Sequence, residues 1–298
     1  MKDERVSTPG QISMTYFTFY HGQHSRELCR DFWRDPHAMV AARGRGGHLY
    51  RQHHFDLDRV DVWPRIDGLS HDMPKDWMPD GCDELVMDDP TLMTPEEAGM
   101  FMGDEHNFLR RGLIYASPKG QYFWHRTDNS PLTIDGKMSG QRIYVFLRRR
   151  DGVSQSDFTD FVQNQLIAAI IERDDILEAK SYLFAPYDEK AWPSLGLAHN
   201  HPAELQYHGS IQLGGESGLA IAKMFQSEAF QSTLARQGEI FEAVFSVGVE
   251  SSYKMVEKGK PTLAGLRGYT CARIISQIGA VNHTEDPVLS NVVTIPGA

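Results

Sequence analysis

The chain of 298 residues has 40 acidic against 30 basic side chains, a formal net charge of −10, and 41% apolar residues. That length and apolar share suffice for a buried core, while the acidic balance repels, on average, a nucleic-acid backbone or an anionic membrane surface, so neither is expected as a partner. Cys29, Cys82 and Cys271 lie far apart, form no C-x-x-C pair and leave an odd count, which suggests neither a disulfide framework nor a zinc knuckle and fits a reducing cytoplasm.

No apolar run approaches the roughly 20 residues that span a bilayer, and the opening MKDERVSTPG lacks the apolar core of a signal peptide. Met14 to Gly22, MTYFTFYHG, is short and rich in aromatic residues, which predicts a strand. Ser25 then offers a helix N-cap, and Leu28, Phe32 and Trp33 recur at helical spacing with His37 one turn further on, so a titratable ring is delivered beside apolar packing. Pro36 is expected to break or restart this helix, because the residue before a proline is pushed away from the helical region.

After Gly46 and Gly47, His48 to Leu57 reads as a second strand, with Tyr50, Gln52 and His54 on one face and Leu49, Arg51, His53 and Phe55 on the other. Pro64, Pro74 and Pro79 mark a loop, and Cys82 to Met87 a third strand. Thr94, Pro95 and Glu97 combine an N-cap hydroxyl, a first-turn proline and a capping-box glutamate. The helix they start carries Ala98, Phe101, Met102, Phe108 and Leu109 as an apolar stripe with Glu105 on it; a carboxylate on such a face needs a partner. Gly112 to Ser117 completes the order strand, helix, strand, strand, helix, strand of a ferredoxin-like unit.

The same order recurs downstream. Arg142 to Arg150 predicts a strand, Ser154 opens a helix with Phe158, Phe161, Val162, Leu166, Ile167, Ile170 and Ile171 at helical spacing, and Leu177 to Tyr187 and Leu205 to Leu213 predict strands. A long helical pattern runs through Ala220, Met224, Phe225, Phe230, Leu234 and Phe241, a strand covers Phe245 to Val256, and Leu266 to Ile278 reads as an added strand. Ser25 and Phe32 are spaced as Ser154 and Phe161 are, and Met100-Phe101 recurs as Met224-Phe225. On this alignment Leu166 stands where His37 does. The expectation is an α+β chain of two ferredoxin-like βαββαβ repeats, 12–125 and 140–280, paired as a pseudo-dimeric α/β barrel.

Three motifs of the first repeat, Phe32-Trp33 followed by His37, Tyr50-Arg51-Gln52-His53-His54, and Asp104-Glu105 followed by Phe108-Leu109, resemble the EthD-like family of the dimeric α/β barrel superfamily. That resemblance implies a cavity between sheet and helices, and relatives that act on small aromatic or polyketide-like compounds as cyclases, decarboxylases, dehydratases or monooxygenases without metal or flavin. It covers most of the chain, while the specific residues lie in the first repeat; the second lacks the histidine and keeps only Glu228 of the acidic pair. A neutral imidazole and a partly buried carboxylate are the groups that remove and return protons near neutral pH. The expected site therefore has His54 or His37 as general base, Glu105 or Asp104 orienting it, and Tyr16, Tyr50 or Gln52 bonding a substrate oxygen, with Trp33 and His21 beside the substrate.

Three rival readings accompany this lyase or cyclase expectation. A cofactor-free monooxygenase shares the proton-removal step. His199, His201, Glu204 and His208 offer imidazole and carboxylate to a divalent metal, and His37, His54 or His208 to haem iron. A non-catalytic ligand-binding barrel needs neither. His24, His106 and His125 read as surface or linker residues, and Arg148-Arg149-Arg150 as a solvated strand end usable by an anion. No dinucleotide, P-loop or G-x-S-x-G pattern is present, so the expected partner is a small-molecule substrate with no resident cofactor, and a homodimer is left open.

Overall fold

The computed structural model describes residues 11–128 and 133–284; the polar leader lies outside them. Strand β1 (Ile12–Tyr20) leads into helix α1 (Arg26–Phe32), capped by the Ser25 hydroxyl accepting from the Leu28 amide at 3.2 Å. Pro36 does not break the helical run. Having no N–H to give, it is absorbed into a π-turn, Trp33–His37, whose closing bond runs from the Ala38 amide to the Trp33 carbonyl, and the helix resumes as α2 (Ala38–Ala41). Strands β2 (Gly47–Val60) and β3 (Gly81–Met87) come next, then α3 (Pro95–Glu105) behind the full Thr94 and Glu97 capping box, and β4 (Leu109–Ser117). Phe108 and Leu109 lie beyond the end of α3 rather than on its stripe.

A short strand β5 (Tyr122–Arg126) takes His125 out of the surface class expected for it: its Nε2 meets Ser181 Oγ at 2.9 Å. Then come β6 (Gln141–Arg149), α4 (Gln155–Asp160), a second π-turn over Phe161–Leu166, α5 (Ile167–Ile170), β7 (Ile176–Leu183) and β8 (Gly209–Gly215). The expected strand from Leu205 starts only at Gly209, because a 3-10 turn over Ala203–Leu205 succeeds Pro202. The long helical pattern is three helices, α6 (Gly218–Phe225), α7 (Glu228–Ser232) and α8 (Leu234–Ile240), interrupted where the Ser227 hydroxyl caps α7 and at Thr233. Strand β9 (Phe241–Glu257) begins at Phe241. The strand expected over Leu266 to Ile278 is instead two helices, α9 (Leu263–Arg267) and α10 (Tyr269–Ile278), joined at Gly268, whose φ is 79°. Burial of Ala264, Ala272 and Ile275 has a helical period that the β-branched pair Ile274-Ile275 hides in the sequence.

All ladders of the sheet are antiparallel, in the order β4-β1-β3-β2-β9-β6-β8-β7-β5. Its two end strands, β4 and β5, are separated only by residues 118–121, and the bonds Leu183 N to Gln121 O (2.7 Å) and Ala185 N to Ala116 O (2.9 Å) carry the pairing across. The sheet therefore closes on itself, and the helices lie outside it.

Strand alternation then gives two kinds of interior. Phe17, Phe55, Leu113, Tyr115, Tyr144 and Phe146 fill the lumen with aromatic contacts. Beside them sits an ionic cluster: Lys180 Nζ is 2.9 Å from both Glu84 and Glu178, Arg51 is 3.2 Å from Glu178 and Glu257, and Arg142 bonds Glu178 (3.1 Å) and Asp128 (2.9 Å). The outward faces pack on helices, α4 to α8 covering one half and α1, α2, α9 and α10 the other.

Candidate active site

Between the outer face of β1, β2 and β3 and the helices α2 and α3 lies a cavity that opens to solvent. Cross-strand register builds its floor: Tyr16 of β1 pairs with Asp83 of β3, and Asp83 with Gln52 of β2, so their side chains share the helix-facing side. Met14, Leu49, Leu85, Met87 and Ile114 supply apolar walls, and His37, Glu105 and Trp192 complete the lining.

His37 sits at the end of the π-turn, and its Nδ1 is 2.9 Å from Asp104 Oδ2 on α3. Burial, the largest single influence, would raise the Asp104 carboxyl, but the His37 hydrogen bond and charge, with the Asn107 hydrogen bond, together outweigh it and hold the group below its ordinary range. An ionised Asp104 accepts, so Nδ1 donates to it and Nε2 is the ring nitrogen not used in the pair. Phe108 packs against the ring at 5.2 Å between centroids.

Glu105, on the same turn of α3, receives hydrogen bonds from Tyr16 Oη at 2.7 Å, from Trp192 Nε1 at 2.9 Å and from the Ser194 hydroxyl. Trp192 and Ser194 belong to the segment between β7 and β8, so the far half of the chain closes this wall. Burial first, then the Glu105 charge, pushes the Tyr16 phenol well above its ordinary range, and it stays protonated. Asp83 is buried and accepts from Trp33 Nε1 at 3.2 Å. Burial first and the Glu105 charge second push its carboxyl well above the carboxylate range, against the Trp33 and Tyr50 hydrogen bonds. The cavity thus holds an imidazole, a carboxyl that favours keeping its proton, and a phenol.

The structure brings His37, Glu105, Tyr16 and Tyr50 to the cavity, with Asp104 bonded behind His37. It does not bring the others. His54 is buried against the Trp33 ring at 4.3 Å, with its Nε2 3.3 Å from Gln52 Oε1, and neither Trp33, Gln52 nor His54 lines the cavity. Burial, then Arg34 and Arg30, hold its ring well below the ordinary histidine range, so it is a neutral core group. Gln52 spends its amide on the Trp33 carbonyl (2.9 Å) and the Tyr50 hydroxyl (2.7 Å). His21 lies outside, bonded to the Asn107 carbonyl at 2.8 Å.

The four metal candidates are scattered. His199 bonds the Gly112 and Ser194 carbonyls, His201 bonds Tyr115 Oη at 2.6 Å, His208 accepts from the Arg149 amide at 3.2 Å, and Glu204 is exposed. Among the described residues no group of three or more His, Cys, Asp or Glu is arranged to hold an ion. Of the three histidines considered for haem, only His37 lines the cavity.

Sequence reasoning missed Asp83, Trp192, Ser194 and Gly112. The signal for Asp83 was the pair Asp83-Glu84 inside an otherwise apolar strand, which places a carboxylate on each buried face. Gly112 is needed for a close approach: a Cβ there would stand 1.8 Å from the Tyr16 hydroxyl. Gly112→Ala is therefore expected to swing Tyr16 off Glu105 and to cost about 1–3 kcal/mol of stability, measured by urea denaturation.

No family model matches the chain, and no curated protein matches it. Among solved structures, a candidate monooxygenase from Lactobacillus acidophilus NCFM superposes with a TM-score of 0.51 at 7% identity, over 84% of this chain and 97% of that one. The fold is that of the dimeric α/β barrel proteins. Two further structures match over 84% of this chain at a TM-score of 0.48: a candidate monooxygenase from Fusobacterium nucleatum subsp. nucleatum (7% identity, 96% of that chain) and an anthrone oxidase-like protein (9% identity, 95% of that chain). In the dimeric α/β barrel of this chain, the cavity lies between the sheet and its outer helices. The EthD-like resemblance rests on the sequence motifs alone.

Proposed function

We propose that this cavity is the active site of an enzyme that moves a proton at a carbon next to a carbonyl, a lyase or cyclase acting on a small, neutral aromatic or polyketide-like compound. The observation that carries it is the His37 to Asp104 bond in a cavity that also holds Asp83. His37 Nε2 removes the proton, Asp104 fixes the ring and offsets its positive charge, and Asp83 in its acid form donates to the substrate oxygen as charge builds there. Tyr16, locked to Glu105, offers a second polar contact. The apolar walls suit a ring system, and Glu105 and Asp104 oppose an anionic one. The closed ring of strands supports taking the chain as two ferredoxin-like repeats paired in one barrel, of which the first carries the chemistry.

The test uses 2-tetralone, an enolisable aromatic ketone, in D2O with proton exchange followed by NMR. The protein is expected to accelerate exchange at the carbon next to the carbonyl, and the rate to fall as pH rises through the raised Asp83 titration. That basic limb should vanish in Asp83→Asn, which keeps a donor at every pH. Exchange no faster than in buffer would retire the reading. The cofactor-free monooxygenase, in line with the description of the Lactobacillus structure, begins with the same proton removal and is separated by dioxygen uptake matching substrate loss. A Soret band formed on haem titration and lost in His37→Gln would make His37 an axial ligand instead. A compound recovered tightly bound and unchanged would favour a ligand-binding barrel.

A further inference from the structure

A second, smaller hollow lies where β6 ends and β9 begins, under the segment holding Met73 and Pro74. Its floor is aromatic: the Phe146 ring lies 4.8 Å from Tyr207 and 5.3 Å from Phe245 between centroids, tilted by 44° and 37°, and these rings belong to the lumen. One cation lines it, Arg148.

That guanidinium is under-used. Its Nε is buried with no hydrogen-bond partner, and its one carboxylate, Glu242, is 3.3 Å away and 43% exposed. The next two arginines form no ion pair among the described residues: Arg149 bonds the Val153 carbonyl and Arg150 the Gly238 carbonyl. The buried Tyr207 hydroxyl finds only the Met73 thioether, at 3.5 Å, a weak acceptor. Asp72 lines the rim and is exposed. An apolar floor of aromatic rings beside an unsaturated guanidinium and an under-bonded hydroxyl matches one ligand chemistry, an aromatic ring bearing a carboxylate.

We infer that this hollow is a binding site for a small aromatic carboxylate, its ring on Phe146, Tyr207 and Phe245 and its carboxylate on Arg148. The site shares no lining residue with the His37 cavity, and the inference does not rest on the reading of that cavity.

The probe is 1-naphthoate, titrated into the full chain by calorimetry. One saturable site is expected. Arg148→Met should weaken it at least about tenfold, Ala243→Trp should abolish it by filling the hollow, and Glu242→Gln should tighten it by freeing the guanidinium, a gain that damage to the fold cannot mimic. His37→Gln should leave it unchanged. Absence of saturation up to about 5 mM, equal affinity for neutral naphthalene-1-methanol, indifference to both Arg148→Met and Glu242→Gln, or loss in His37→Gln would each overturn the inference.

Discussion

His37→Gln is expected to lower the rate of proton exchange into 2-tetralone by about 10²–10⁴-fold, the range a positioned general base supplies. The amide of glutamine can still bond Asp104, so the π-turn and the cavity persist and the melting temperature should stay near that of the wild type; what disappears is the basic lone pair. Asp104→Asn should cost less, about tenfold, because it only misdirects the ring: an amide in place of the carboxylate no longer fixes the proton on Nδ1, and the imidazolium formed in the reaction loses its counter-charge. The loss should fall on kcat, with KM little changed, since Asp104 makes no contact with the cavity. His54→Gln should leave the rate within about twofold, for a ring sealed behind Trp33 takes part in no step. A rate in His37→Gln equal to that of the wild type would remove the base from the mechanism.

Local chemistry made much of this legible. An N-cap serine, an aromatic pair and a histidine within one amphipathic run placed His37 next to a core, and the Thr94 box fixed where α3 starts and thus which face Glu105 takes. Alternation along β2 separated Tyr50, Gln52 and His54 from Arg51, His53 and Phe55, but not from Leu49, which lines the cavity beside Tyr50 next to a register shift; both faces of a closed sheet under helices are buried, so hydrophobic pattern could not say which face meets a cavity. The choice between His37 and His54 turned on Trp33, whose ring covers His54. Trp192 and Ser194 were out of reach for another reason: they approach Glu105 across nearly 90 residues of chain, and nothing local marks such a contact. Asp83 owes its character to burial and to Glu105, neither of which is a property of its neighbours in sequence.

Lys180→Met is expected to destabilise the protein by about 3–5 kcal/mol, the cost of leaving buried carboxylates without their cation. Lys180 has no exposed surface and stands 2.9 Å from both Glu84 and Glu178. Burial by itself would raise these two carboxyls. Lys180 and Arg51 outweigh it at Glu84, Lys180 and Arg142 at Glu178, and both are held well below the ordinary range. A folded-state value below the unfolded one gives stability that is present above about pH 4 and lost as pH falls through the folded titration. The wild type should therefore weaken in acid, and Lys180→Met, having lost the cation that depresses both groups, should show a shallower acid slope from a lower plateau. Adding Glu84→Gln to Lys180→Met should restore part of the loss, with a coupling of at least about 1 kcal/mol in the double-mutant cycle. If urea denaturation places Lys180→Met within about 1 kcal/mol of the wild type at neutral pH, the aromatic lumen alone sustains the barrel and the ions beside it are neutral in the balance.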